Sequence, residues 1–344
     1  MSDEKHYTPV RWGILGAARI AKEHVIPAMH ASQYGYPKAI AARDQDRALK
    51  TAKDFDIPFV YDSYDALLSD SNIDAVYIPL PNHLHVEYAL KAAEKGKHVL
   101  CEKPIALTAA QAEKLQDAAL HVHIAEAFMP RHQPRWHYAR DLAMRGALGE
   151  VRILQACLTF YMNNPTDFRR HPEYGGGALY DVGCYAVMAS RYFFAAEPQR
   201  VMALMQGDGT EGVDNLTSVI LDFGCGRHAL FSVSTVLAAA QHLHLIGSQG
   251  SVDLPLPFIA PNDRPTTLAF DDASDLYACH PREIIFETID QYLCEIDHFS
   301  RVVRGEEVPG FGIADAVANM RVVDALFVSA RSGTWQACQP QSAG

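Results

Sequence analysis

The first 130 residues alternate between two hydrophobic patterns. Short, almost wholly apolar runs of strand length recur at VRWGILG (10–16), PKAIAAR (37–43), DAVYIPL (74–80), KHVLCEKP (97–104) and HVHIAEAF (121–128). Between them lie stretches with a helical pattern: ARIAKEHVIPAMHAS (18–32), Asp46 to Phe55, HVEYALKAAEKG (85–96) and TAAQAEKLQDAA (108–119). Strands apolar on both sides and separated by helices predict a parallel, doubly wound sheet covered on both faces.

After residue 130 the rhythm changes. A helix over Pro134 to Met144 leads into a long strand, GEVRILQACLTFYM, and then into a glycine-led stretch, GGGALYDVGCYAV (175–187). From 199 to 254 come RVMALMQ, NLTSVILDF, RHALFSVST, QHLHLIG and SVDL, with no helix between them, which predicts an antiparallel sheet. Helices from Ile284 to Arg304 and from Ala314 to Ala330 close the chain. The expected fold is therefore α/β. An N-terminal doubly wound parallel sheet of the Rossmann kind spans 1–128. An α+β domain with a large open, mostly antiparallel sheet spans 129–344.

Composition narrows the function. The 344 residues, 49% hydrophobic and 21% charged, suffice for two buried cores and exclude a largely disordered chain. A net charge of −11 with no run of Lys or Arg argues against nucleic acid or an anionic membrane surface as partner. No apolar stretch reaches the roughly 18–20 residues that a spanning helix needs, and MSDEKHYTPV lacks the apolar core of a secretory signal. Seven Cys without CxxC or zinc-like spacing fit reduced thiols in a cytoplasmic protein.

The candidate chemistry begins at WGILGAARIA (12–21), where the first strand turns into the first helix. A dinucleotide fingerprint needs a tight turn, close backbone approach to the pyrophosphate and close helix–strand packing. Gly16, Ala18 and Ala21 hold those three places. The turn Gly16, Ala17, Ala18, Arg19 and Ile20 is thus expected to carry the cofactor. At the tip of the second strand, Arg43 can pair with a 2′-phosphate, with Arg47 one helical turn on, and this favours NADP. The alternative is that Asp44 holds the ribose hydroxyls of NAD.

Lys103, in CEKP (101–104), ends another parallel strand and faces the same crevice. Pro104 fixes the backbone beside it, and Glu102 is placed to orient the ammonium. PLPNHLHVE leaves a further strand, adding Pro79, Asn82 and His85 to Glu102 and Lys103 as cofactor-lining candidates. Asn82 can also cap the next helix, and His85 is either site lining or helix surface. Three HxH pairs lack a Cys or carboxylate partner at ligand spacing, so no metal is expected. Asp181 and Tyr185, four apart, share one face if the chain is helical from Ala178. Otherwise they are a loop-end acid and a packed tyrosine.

RWGILGAARIA, AARDQDRA, PNHLHVEYAL, GKHVLCEKPIAL and GGGALYDVGCYAV, in this order, resemble the glucose–fructose oxidoreductase and inositol dehydrogenase type of NAD(P)-dependent oxidoreductases. The resemblance runs over nearly the whole chain. It implies a Rossmann domain followed by a domain whose open sheet lines the site on one face and commonly forms dimers through the other. It also implies an active site of the EKP lysine, the aspartate after the glycines and a histidine four residues on. Here these positions hold Lys103, Asp181 and Tyr185. Tyrosine in place of histidine resembles the branch of NADP-linked xylose dehydrogenases and dimeric dihydrodiol dehydrogenase.

The implied activity is hydride transfer between a nicotinamide and the carbinol or carbonyl carbon of a sugar, D-xylose or D-glucose among the candidates. Dihydrodiol oxidation and keto-sugar reduction are the alternatives, and a cofactor-binding regulator is the alternative of another class. Tyr185 would take the hydroxyl proton, with the Lys103 ammonium favouring its phenolate. Asp181 would orient a substrate hydroxyl, and Arg169 and Arg170, in NNPTDFRR (163–170), would add polar contacts.

Overall fold

In a computed structural model describing residues 8–164, 166–207, 212–275 and 281–338, the early apolar runs form one parallel sheet. Its strands are β1 (Val10–Leu15), β2 (Gly35–Ala41), β3 (Phe59–Tyr61), β4 (Ala75–Ile78), β5 (His98–Glu102) and β6 (Ile124–Ala127). They lie in the order β3-β2-β1-β4-β5-β6. The order reverses between β1 and β4, and a crevice outside the carboxyl ends of the strands at such a point is where ligands bind this architecture. β3 was not foreseen: it is a three-residue edge strand with Phe59 half exposed, too short to show a period.

The connecting helices are α1 (Ile26–Ala31), α2 (Gln45–Asp54), α3 (Tyr64–Leu68), α4 (His85–Glu94) and α5 (Ala109–Glu113). Asp44 and Ser63 cap α2 and α3 by accepting from the backbone N–H groups of Arg47 and Ala66. The helix expected over 108–119 shortens to α5, and a 3₁₀ turn follows at Ala118–Leu120. Among the described residues, no helix is long and apolar enough to cross a membrane.

The chain divides into two compact units. The first holds the residues up to Ala106, Ala110–Met129 and Asp290–Ala316. The second holds Leu107–Ala109, Pro130–Ile289 and the residues from Val317 onward.

Trp12, buried in β1, explains why the late segment returns to the first unit. Its indole Nε1 donates to Ser300 Oγ at 3.2 Å, and its ring lies 5.6 Å from that of Phe299. Both partners stand on a late helix running from Gln291 to Val303, which Asp290 caps through Tyr292 N. The sequence pattern placed this helix's start at Ile284. Residues Arg282–Phe286 instead form an edge strand, and the helix begins where Asp290 can supply the cap.

The second unit is built on α6 (Pro134–Met144), α7 (Cys184–Phe194) and a nine-stranded sheet. Its strands are β7 (Val151–Tyr161), β8 (Arg200–Gly207), β9 (Asp214–Asp222), β10 (His228–Ser234), β11 (Val236–Gly247), β12 (Ser251–Pro255), β13 (Thr266–Asp271), β14 (Arg282–Phe286) and β15 (Gln336–Ala337). The order is β14-β13-β12-β11-β7-β10-β9-β8-β15, with β7 and β10 parallel and the other pairs antiparallel.

α7, buried along its whole length, packs on this sheet. At its end lies an aromatic cluster around Trp136, whose Nε1 donates to Pro257 O at 2.9 Å and whose ring meets Tyr192, Phe193 and Phe258. A shallow depression on the sheet is lined by Met202, Leu204, Ile220 and Leu230 together with Gln155 and Ser218. Leu204, Ile220 and Leu230 are exposed there.

Candidate active site

The first candidate centre is the turn after β1. Gly16 has φ +118°, a conformation that side chains resist, and a Cβ there would press on Leu80. Its N–H donates to Ala41 O at 2.7 Å, tying the turn to the end of β2. Ala17 is buried, Ala18 half-buried and Arg19 exposed, facing Glu23 across 3.4 Å. Ile20 leads into a π-helical turn, Ala21–Val25, that continues as α1. A backbone-lined turn with a glycine at positive φ, opening a helix, fits a dinucleotide pyrophosphate.

Arg43 stands exposed just past β2. Asp44 uses its carboxylate to cap α2, and Arg47 Nη2 donates to Ala17 O at 3.1 Å. Arg47 thus braces the turn from behind.

The second centre is the backbone around Lys103. Glu102 Oε1 accepts from the Tyr77 hydroxyl at 2.7 Å, and its Oε2 from Lys103 N at 3.3 Å. Glu126, buried on β6, takes Ile105 N at 2.8 Å. His85 has no exposed surface, and its ring nitrogens lie 2.7 Å from Pro104 O and 2.7 Å from Leu80 O. Glu102 ends β5, and Gly16–Ile20, Arg43, Pro79, Asn82 and Lys103 follow the carboxyl ends of parallel strands, at one edge of the first sheet.

In the second unit, the glycine run ends in a close approach. The Asp214 carboxylate, reaching from the start of β9, accepts from Leu179 N at 2.9 Å and Thr217 Oγ1 at 2.5 Å through one oxygen. Its other oxygen occupies the space that a Cβ on Gly177 would need, and Gly177 has φ +116°. Burial raises the Asp214 carboxyl above its usual range, against the lowering effect of those donors. Asp214 therefore anchors the start of the helix carrying Asp181 and Tyr185.

That helix opens as a π turn, Leu179–Gly183, before α7. Asp181 and Tyr185 retain only 8% and 5% of their exposure. Arg169 Nε pairs with Asp181 Oδ2 at 3.0 Å, while its Nη1 contacts both oxygens of Asp167 at 3.1 and 3.2 Å. Asp181 first, then Asp167, raise the guanidinium above its ordinary value despite burial. Gly177 N donates to Arg169 O at 2.9 Å, so the backbone locks the arginine beside the glycines.

The sequence also matches known families. Residues 10–124 match the model of an oxidoreductase family with an NAD-binding Rossmann fold, and 136–253 match the GFO/IDH/MocA C-terminal domain. The chain belongs to the GFO/IDH/MocA oxidoreductase family. An uncharacterized oxidoreductase of Rhizobium meliloti is 41% identical over 95% of this chain and 98% of that one. The D-xylose 1-dehydrogenase (NADP(+)) 2 of Haloferax volcanii is 37% identical over 94% and 98%. Among solved structures, the 3-ketoreductase KijD10 of Actinomadura kijaniata, in complex with NADP and TDP-benzene, superposes with a TM-score of 0.87. It is 29% identical, with 94% of this chain and 98% of that one covered.

Within this family member, two expectations are corrected. His85 neither lines the cofactor nor lies on the helix surface; it is wholly buried between two carbonyls. Asn82 opens a 3₁₀ turn, Asn82–Leu84, as a member rather than as its cap, and Leu84 is the residue before α4. Arg169 is engaged with Asp181 and Asp167. Tyr77, Glu126 and Asp214 were missed. Their signal in sequence is only that a Tyr or a carboxylate sits in or beside an apolar strand; their partners are far along the chain.

Burial, aided by the charge of Lys103, pushes the His85 imidazole down to about 4. Above pH 6.5 neither folded nor unfolded chain protonates it. As pH falls, the unfolded chain binds the proton first, so stability present at neutral pH is lost on the way to about 4. The expected loss from this residue between pH 7 and 5 is about 2 kcal/mol. Urea denaturation of wild type and His85→Gln across that range should give curves that converge at low pH; parallel curves would refute the assignment.

Proposed function

We propose that the protein transfers hydride between NADP and a sugar, oxidising an aldopyranose such as D-xylose or D-glucose at a carbinol carbon, or working in reverse on a keto-sugar. The observation that carries this is the pair of buried Asp181 with half-buried Arg169, one helical turn from buried Tyr185, on a helix start held by Asp214. A carboxylate and a phenol placed at such cost, with their backbone fixed, suit recognition of a polyhydroxylated substrate and movement of its proton. The similarity to a D-xylose 1-dehydrogenase and to a 3-ketoreductase supports a sugar as substrate.

The Gly16–Ile20 turn would hold the pyrophosphate and Arg43 the 2′-phosphate. When bound, the nicotinamide supplies the hydride acceptor or donor. Tyr185 moves the hydroxyl proton at its Oη, and Lys103 is the candidate cation of the reaction. Asp181, oriented by Arg169, accepts from a substrate hydroxyl.

Tyr185→Phe should retain NADPH binding and lose about 10²–10⁴-fold in kcat, measured over a panel of aldoses, polyols and dihydrodiols. Lys103→Met should depress the rate as well, whereas Asp181→Asn should mainly raise KM. A Tyr185→Phe enzyme within a few-fold of wild type would mean that the tyrosine only packs.

Cofactor choice is tested separately. Arg43→Ala should weaken NADP more than NAD by about 1.5–3 kcal/mol, the worth of a charge-assisted hydrogen bond. Equal losses for both dinucleotides in titrations would remove Arg43 from the phosphate site.

We also propose that a second copy covers the open sheet face bearing Leu204, Ile220 and Leu230. Light scattering at micromolar concentration should give a dimer for wild type and a monomer for Ile220→Arg. A wild-type monomer, or an Ile220→Arg dimer, would show that this face is not the interface.

A further inference from the structure

Past the end of a parallel strand, a chain has no ladder to hold it. The last β4–β5 partners are Ile78 and Cys101, and the last β5–β6 partners are Glu102 and Ala127. Lys103 stands immediately beyond both. Side chains hold the backbone from Lys103 to Ile105: half-buried Glu102 and buried Glu126 take the N–H groups of Lys103 and Ile105, and buried His85 meets the carbonyls of Pro104 and Leu80.

Of these, His85 is the one that joins two loops. Leu80 leaves β4 two residues beyond its end, and Pro104 follows Lys103. One aromatic ring, with two side-chain torsions and no exposed surface, fills the space between them, its nitrogens 2.7 Å from a carbonyl on either side; as a neutral imidazole it donates to one carbonyl and packs against the other loop. We propose that His85 is a positioning residue for Lys103: a staple that replaces the missing β4–β5 ladder and fixes where the lysine's backbone emerges. With no accessible surface, it acts through Lys103 and touches neither cofactor nor substrate.

This rests on the assignment of Lys103 as an acting group, and the test separates the two. Wild type, His85→Gln, His85→Ala, Lys103→Met and the double variant His85→Ala/Lys103→Met would be assayed with NADP and D-xylose, with NADPH affinity read by fluorescence. His85→Ala should lower kcat by about 10–100-fold, the effect of misplacing a catalytic group by about 1 Å. NADPH affinity should stay within about 3-fold, and His85→Gln, which can still donate to one carbonyl, should recover part of the rate.

In the Lys103→Met background, His85→Ala should cost less than about two-fold, because the group it positions is gone. Full multiplication of the two losses overturns the proposal while leaving Lys103 in place. Full turnover by Lys103→Met overturns the assignment beneath it. A crystal structure gives a readout independent of substrate. In His85→Ala, or in His85→Gln if the former does not fold, the Lys103 Cα should shift by about 1 Å. An unmoved Lys103 refutes the staple.

Discussion

A backbone that leaves a sheet or opens a helix lacks hydrogen-bonding partners, and the candidate acting groups of this protein stand on or beside such backbone, Lys103 past β5 and Asp181 and Tyr185 where a helix begins. Buried N–H and C=O groups must be paired with something. Here the replacements come from side chains: Glu102, Glu126 and His85 around Lys103, and Asp214 at Leu179. Each supplies an acceptor or donor at the point where a ladder or a helix has not yet provided one. Rigidity at the strand ends therefore depends on polar groups inside the core, and their burial is the main force on their ionisation, downward for His85 and upward for Asp214.

Ion pairs in the chain divide by environment. Arg19–Glu23, Lys50–Asp54 and Lys91–Glu87 are exposed pairs one helical turn apart, and such pairs contribute little to stability. Arg169–Asp181 is different in kind. Asp181 is buried and Arg169 half-buried, so charge is drawn out of water at a cost that their attraction offsets only with good geometry and further partners, and removing Arg169 strands the buried carboxylate. Asp167 supplies one of those partners. A pair that gives so little net stability for so specific a geometry is better explained by orientation of Asp181 than by holding the fold.

Two helices that carry candidate residues begin with a π turn, Ala21–Val25 in the first unit and Leu179–Gly183 in the second. π turns are rare and frequently occur at functional sites. In the second case the widened turn coincides with the Asp214 anchor and with Gly177, whose missing Cβ makes room for the carboxylate. The glycines before Asp181 thus serve a close approach by a residue far along the chain as much as flexibility of their own.

The strands β1, β2, β4, β5 and β6, the turn at Gly16, and the helix that carries Asp181 and Tyr185 were legible in the sequence, because each is written in local pattern. A buried parallel strand must be apolar throughout, a tight turn needs glycine, and residues four apart on a helix share a face. The edge strands β3 and β14 were not legible, since short half-exposed strands carry no clear period. Nor was the return of the Gln291–Val303 helix to the first unit, decided by Trp12 meeting Phe299 and Ser300. The place of His85, the reach of Asp214 to Leu179, and the binding of Arg169 to Asp181 rather than to open solvent were settled only by the tertiary structure. A polar residue's type states what it can bond, but which group it meets is fixed by packing between segments distant in the chain.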